Sequence, residues 1–147
     1  MIETKHFILQ ELVCNHVFKK YGQTAWQFLD PRLLITLNYI RKAINRSMEI
    51  NTYHQGGTDS QSGLRCNLCH LVYTKTKRDM VYMSAHCEGQ AIDFSTKGLS
   101  ANDVREWLIK HHEELPYSIR LESGDYADSW VHLDVRDTGQ KLYIFKP

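Results

Sequence analysis

The chain has 147 residues and a mass of 17.2 kDa, the size of one ordinary domain that can bury a core without staples. With 42% hydrophobic and 24% charged residues it reads as globular, and extended disorder is excluded. A net charge of +1 excludes a strong global field toward nucleic acid or an anionic membrane, and no apolar run approaches the roughly 20 residues of a membrane span.

In chain order, the opening Met1-Ile2-Glu3-Thr4-Lys5-His6 mixes acid and base and leads into no signal-peptide core, so a cytosolic start is expected. A first helix is expected from about Leu9 to Tyr21, with Leu12, Val13 and Val17 inward and Gly22 as its stop. A second begins with Asp30 as cap and Pro31 at the first helical position. Its apolar stripe is Leu34, Leu37, Ile40 and Ile44, up to about Asn45. Met48 to Tyr53 reads as a strand, Gln55 to Arg65 as turn-rich, and Cys66 to Met83 as an irregular loop. A third helix opens at Ser100, with Asp103 as capping-box partner and Val104, Trp107 and Leu108 inward, and ends near Glu114. Three short strands follow, Tyr117–Glu122, Trp130–Val135 and Leu142–Phe145, the last two read as part of a meander. Helices first and antiparallel strands late predict an α+β fold. It is a single domain over residues 1–147, N-terminal helices packed on a small antiparallel sheet.

Eight His justify a search for a metal site, and the most informative stretch is Ser84-Ala85-His86-Cys87-Glu88-Gly89-Gln90-Ala91-Ile92-Asp93. Gly89 permits a tight turn after His86. The chain then becomes extended, so that Ala91 and Asp93 share a face and Ile92 points to the other. His86 and Asp93 can therefore converge on one ion. In Trp130-Val131-His132-Leu133-Asp134-Val135, Val131, Leu133 and Val135 make an apolar face, and Trp130, His132 and Asp134 make the other, which reads as the wall of a site. Ile119 and Leu121 alternate with Arg120 and Glu122. If this strand pairs with the next through Ser123–Ser129, Glu122 and His132 lie on one face. Two His, one Asp and a nearby non-ligating Glu are the parts of a catalytic zinc site: three ligands, an open position for a water whose pKa zinc lowers to about 7, and a carboxylate to take its proton.

Ser-x-His-x-x-Gly-x-Ala-x-Asp followed by Trp-x-His resembles the peptidoglycan-cleaving zinc peptidases. These are the D-alanyl-D-alanine carboxypeptidases, the L-alanyl-D-glutamate endopeptidases of phage lysins and the related Hedgehog domain. The resemblance covers roughly Glu11 to Phe145. It implies that His86, Asp93 and His132 bind zinc. It also implies that Arg65, in Ser62-Gly63-Leu64-Arg65, holds a substrate carboxylate by a bidentate bond. Ser84, which opens the motif, and Trp130 join Arg65 as expected substrate-binding residues. The family's general base is a Glu, three residues before the last ligand in many members, a place held here by Ser129. In others it ends the preceding strand, which fits Glu122; Asp128 is the second candidate.

The expected function is hydrolysis of peptide bonds in peptidoglycan stem peptides by a monomer made in the cytoplasm, as a phage or prophage lysin is, and acting on the cell wall after release. No nucleic acid and no stable membrane association are expected. The alternative is a Hedgehog-like zinc-containing binding module without efficient catalysis. A nucleic-acid-binding zinc finger on Cys66 and Cys69 is disfavoured by the net charge and by the single close Cys pair. His6, His16, His54, His70, His111 and His112 are read as ordinary surface or core groups. A second zinc on Cys66-x-x-Cys69, with Cys14, His70, His86 or Cys87 as partners, is left open behind a reading as loop or core thiols. Lys75-Thr76-Lys77-Arg78 is read as a solvated loop, with attraction to the anionic wall as a weaker alternative.

Overall fold

The computed structural model describes residues 4–76 and 79–147; the start at residues 1–3, and Lys77 and Arg78 of the basic cluster, lie outside them. The expected first helix is two. Helix α1 (Leu9–Leu12) and helix α2 (Asn15–Tyr21) are separated at Val13, which is extended (φ −127, ψ 151) and forms a parallel bridge with Leu64. The bridge is closed by Leu64 N–H donating to Leu12 O (2.8 Å) and Cys14 N–H to Leu64 O (2.9 Å). A β-branched residue that is fully buried is accommodated better there than mid-helix. A 3₁₀ turn over Gly22–Phe28 leads to helix α3 (Pro31–Ile44), which begins as expected: the Asp30 carboxylate accepts from Arg32 N–H and Pro31 stands at the first position. Leu33, Leu37 and Ile40 on this helix have no exposed surface.

Strand β1 (Met48–Glu49) is shorter than the expected Met48 to Tyr53. The chain leaves the sheet because Asn51 turns inward, its amide donating to Val13 O (3.0 Å) and accepting from Ser62 N–H (2.9 Å), and Tyr53–Gln55 is a 3₁₀ turn. The stretch expected to be irregular contains helix α4 (His70–Thr76). Its one buried residue is Val72, so there is no apolar stripe for periodicity to reveal. The extended segment after Gly89 is strand β2 (Ala91–Thr96). Helix α5 (Ala101–His111) opens with the Ser100/Asp103 capping box, buries Val104 and Leu108, and continues as a 3₁₀ turn to Glu114. Trp107 is half-buried and stacked on His111.

Strands β3 (Ile119–Glu122), β4 (Val131–Asp134) and β5 (Leu142–Phe145) complete a five-stranded sheet of order β1-β2-β4-β3-β5. All neighbours are antiparallel except β3 and β5, which are parallel, so the last two strands are not a meander and the sheet is mixed. Both edges of β4 are occupied, by β2 and β3. A strand that reverses after β4 must therefore take the outer edge of β3, and in that direction it runs parallel to β3. The pairings Asp93↔His132, Ala91↔Asp134, Arg120↔Asp134, Arg120↔Tyr143 and Glu122↔Phe145 sort the sheet into two faces. Ile92, Phe94, Val131, Leu133, Ile119 and Leu121 form the buried face, packed with α3 and α5 side chains in one core. Ala91, Asp93, His132, Asp134, Arg120 and Glu122 share the other. The result is a single α+β domain with its helices mainly amino-terminal. No helix among the described residues is long and apolar enough to cross a membrane.

Candidate metal centre

Strand pairing builds the centre. Asp93 on β2 and His132 on β4 are direct cross-strand partners, and His86 reaches them from the turn before β2. Gly89 makes that turn at φ +68, and a Cβ on it would overlap the Phe28 carbonyl, so the turn packs against the segment leading into α3. The donor atoms of His86, Asp93 and His132 lie within 4.8 Å of one another. His86 Nε2 is 3.4 Å from Asp93 Oδ2 and 3.3 Å from His132 Nδ1, and His132 Nδ1 is 2.8 Å from Asp93 Oδ1.

The opposite nitrogen of each imidazole has its own partner. His86 Nδ1 donates to Gly63 O (2.9 Å), leaving Nε2 to face the cluster, and His132 Nε2 donates to Asp134 Oδ2 (2.9 Å). Asp134 is completely buried and also accepts from Arg120 Nε (2.7 Å), Arg120 Nη2 (2.8 Å) and Arg136 N–H (3.2 Å). Imidazoles oriented by a carbonyl and a carboxylate behind them are characteristic of metal-binding His.

The electrostatics follow. Burial pushes the His86 pKa down, outweighing the attraction of Asp93. Burial also opposes charge on His132, but its hydrogen bonds to Asp134 and Asp93 prevail and raise its pKa to about 9. Burial works against ionised Asp93 and Asp134 too, and here the hydrogen bonds from His132, together with His86 on Asp93 and Arg120 on Asp134, hold both well below the usual carboxylate range. A cation at the cluster would take the place of the shared proton between His132 Nδ1 and Asp93. One carboxylate and two imidazoles in this arrangement fit a zinc ion's preferred donors.

The centre stands where two clefts of about 450 and 360 Å³ meet, with Arg65, Asp93 and Trp130 lining both. Glu122 and Ser84 line the larger cleft beside His86 and His132. The β3–β4 register, continued by one residue, puts Glu122 opposite His132. Arg120 is engaged with Asp134 and Lys141 donates to Leu115 O, so neither pairs with Glu122, which lies within electrostatic reach of Arg105. Asp128 is exposed on the β3–β4 loop and is not part of the cleft wall; Ser129 lines the smaller cleft. Ser84 Oγ accepts from His86 N–H (3.3 Å). Arg65 donates from Nη2 to Asp93 Oδ2 (3.0 Å) and from Nε to Gln61 O, which orients the guanidinium at the centre's edge.

Four residues escape a full reading of the sequence. Arg120 and Asp134 are legible as polar faces of strands, but their bidentate pairing depends on register. Arg105, which the sequence reading does not single out, is buried and donates to Trp130 O (2.8 Å) and Ala127 O (2.6 Å), fixing the loop that presents Trp130. The fourth is His16, read as an ordinary surface or core group. It joins Cys14, Cys66 and Cys69 in a second cluster able to hold a metal, and the signal was the Cys14-x-His16 spacing. Cys87 is exposed and His70 begins α4; neither belongs to that cluster.

Comparison of the chain with protein-family models, curated proteins and solved structures finds no match.

Proposed function

We propose that the chain is a zinc peptidase that hydrolyses peptide bonds in peptidoglycan stem peptides. The observation that carries this reading is the convergence of His86 Nε2, Asp93 and His132 Nδ1 at the junction of two clefts, with Glu122 on the wall of one. His86, Asp93 and His132 would hold the zinc, which when bound supplies Lewis-acid activation of water and of an amide carbonyl. Glu122 accepts the proton of the attacking water and delivers it to the leaving amine nitrogen. Arg65, already oriented by Gln61 O, offers guanidinium N–H groups to a substrate carboxylate. Trp130, 38% exposed between the two clefts, supplies an apolar surface for the stem peptide, and Ser84 lies beside His86 on the same wall.

Ser129, three residues before His132, favours a second reading in which the fold is kept as a zinc-containing binding module. One experiment separates the two. Wild type and Glu122→Gln are incubated with purified peptidoglycan, the fragments are read by mass spectrometry, and zinc content is measured on both. The peptidase reading expects release of peptide fragments by wild type and a fall of about 10²–10⁴ in rate for Glu122→Gln with zinc retained. Wild type that binds zinc and peptidoglycan but releases no fragment establishes the binding module. An active Glu122→Gln with an inactive Asp128→Asn would transfer the base role to Asp128.

A further inference from the structure

We propose that Cys14, His16, Cys66 and Cys69 hold a second zinc ion, a structural one, that staples the amino-terminal segment to the loop carrying Arg65. The four donor atoms lie within 4.8 Å of one another. With Zn–S of about 2.3 Å and Zn–N of about 2.0–2.1 Å, the edges of a tetrahedral Cys₃His site are about 3.5–3.8 Å. The structure has Cys66 Sγ 3.7 Å and Cys69 Sγ 3.9 Å from His16 Nδ1. The cluster is thus already close to the size that zinc requires.

The backbone is arranged for the same purpose. The Val13–Leu64 bridge sets Cys14 beside the strand-like segment that ends in Cys66, so two distant pairs, Cys14-x-His16 and Cys66-x-x-Cys69, meet. Within the second pair, Cys69 N–H donates to Cys66 O (3.0 Å) and Cys66 N–H points at Cys69 Sγ (3.4 Å). This closes a turn in which a backbone donor faces a sulfur, and such a donor stabilises a thiolate. Cys14 and Cys69 are buried, Cys66 is partly covered and His16 is exposed. The site is therefore closed on the protein side and has its imidazole at the surface. All four cysteines are free thiols. On binding, the three thiols release their protons to solvent, and the ion takes three thiolates and one neutral imidazole. Three soft sulfur donors and a closed four-ligand set select a structural zinc rather than a hard oxygen-seeking cation.

The staple has a consequence for the other centre. Arg65 lies between Leu64, bonded to the Val13 segment, and Cys66, a ligand, and its side chain reaches Asp93. Fixing Cys66 fixes the base of Arg65. The inference stands independently of the peptidase reading, because it concerns thiolate ligands that the His86/Asp93/His132 centre lacks.

The test uses the full chain, purified under reducing conditions and loaded with cobalt(II) in place of zinc. Thiolate-to-cobalt charge-transfer bands are expected in wild type and in His86→Ala/His132→Ala, and their loss is expected in Cys66→Ser/Cys69→Ser. With zinc, wild type should carry about two ions per chain and each double variant about one. If the Cys double variant fails to fold, His16→Ala, altered at an exposed ligand, should fold and lose its thiolate-bound ion to a chelator at a concentration on the order of tenfold lower or more. Reduced wild type that shows no thiolate–cobalt band, or whose Cys14, Cys66 and Cys69 thiols react with a thiol reagent at the same rate with and without zinc, overturns the proposal. Loss of metal from the His86 centre alone leaves the bands intact and bears only on the peptidase reading.

Discussion

Replacing Asp134 by Asn separates orientation of a ligand from stability of the core. Asp134 Oδ1 accepts from Arg120 Nε and Arg136 N–H, and Oδ2 accepts from Arg120 Nη2 and His132 Nε2. An amide has one oxygen, so whichever way it turns, two donors face its NH₂ group. The largely covered Arg120 guanidinium also loses its counter-charge. Breaking a buried pair in this way costs about 3–5 kcal/mol. At roughly 2–4 °C per kcal/mol for a domain of this size, the melting midpoint should fall by about 6–20 °C. The second effect is on the metal. The neutral amide holds the Nε2 proton of His132 less firmly than the carboxylate when its oxygen faces it, and not at all when its NH₂ does, so the imidazole is freer to present N–H rather than a lone pair at Nδ1. Loss of such a support weakens metal binding by about 10–100-fold, or about 1.4–2.7 kcal/mol. The two effects are read by thermal melts and by competition with a chromophoric chelator, with thiolate-bound metal followed separately by its own absorption. Arg120→Met combined with Asp134→Asn removes the unmatched charge and should recover much of the stability, while the affinity stays below that of wild type because a neutral amide holds the Nε2 proton less firmly than a carboxylate. Wild-type affinity in Asp134→Asn would refute the reasoning and leave Asp134 as a partner of Arg120 only.

Two further outcomes follow from the supports of the site. Asp30→Ala removes the α3 cap and the acceptor of Gln90 Nε2, and should destabilise by about 0.5–2 kcal/mol in thermal or urea unfolding. Hydrogen bonding from Arg32 holds the Asp30 pKa below its ordinary 3.8, so its stabilisation is present above that pH and lost as pH falls through the lower folded value. The stability difference between wild type and Asp30→Asn should accordingly shrink below about pH 4. Arg105→Ala leaves the carbonyls of Ala127 and Trp130 without their donor, and about 1–3 kcal/mol should be lost for each that stays buried. Trp130 fluorescence quenching by acrylamide should rise with it, and an unchanged quenching constant would show that the loop is held by other contacts.

Local physics explains which parts of this fold are readable in the sequence. Asp30, Pro31 and the stripe through Leu37 and Ile40 specify α3 within one segment, and Ser100 with Asp103 does the same for α5. His86, Asp93 and His132 are legible because strand alternation and one glycine turn put their side chains on a common face. The break at Val13 is of another kind, since the residue that draws it out of the helix is Leu64, far along the chain. The parallel placement of β5 depends on which sheet edges remain free, a property of the assembled sheet. Helix α4 has a single buried anchor and so no period. His16 looks like a surface histidine because it is one; only the Val13–Leu64 bridge brings its neighbours Cys66 and Cys69 to it.

The segment from Ser62 to Cys66 explains why these separate features act on one place. Ser62 O accepts from Asp93 N–H (2.7 Å), Gly63 O from His86 Nδ1 (2.9 Å), and Arg65 N–H donates to His86 O (3.1 Å) while its side chain reaches Asp93. Between these contacts Leu64 pairs with the Val13 segment, and Cys66 belongs to the thiol cluster. A Cβ at Gly63 would overlap the Leu12 carbonyl, so any larger residue there requires the two backbone segments to move apart. One short stretch therefore touches two of the three residues of the first cluster and contributes a residue to the second. A site that must hold its groups to within about 0.5 Å needs such a support behind it. Here the support is an extended segment whose carbonyls point at one centre and whose Cys66 end belongs to the other. A shift of this segment would move His86, Asp93 and Arg65 together, so the integrity of the thiol cluster and the geometry of the His86 centre are mechanically coupled.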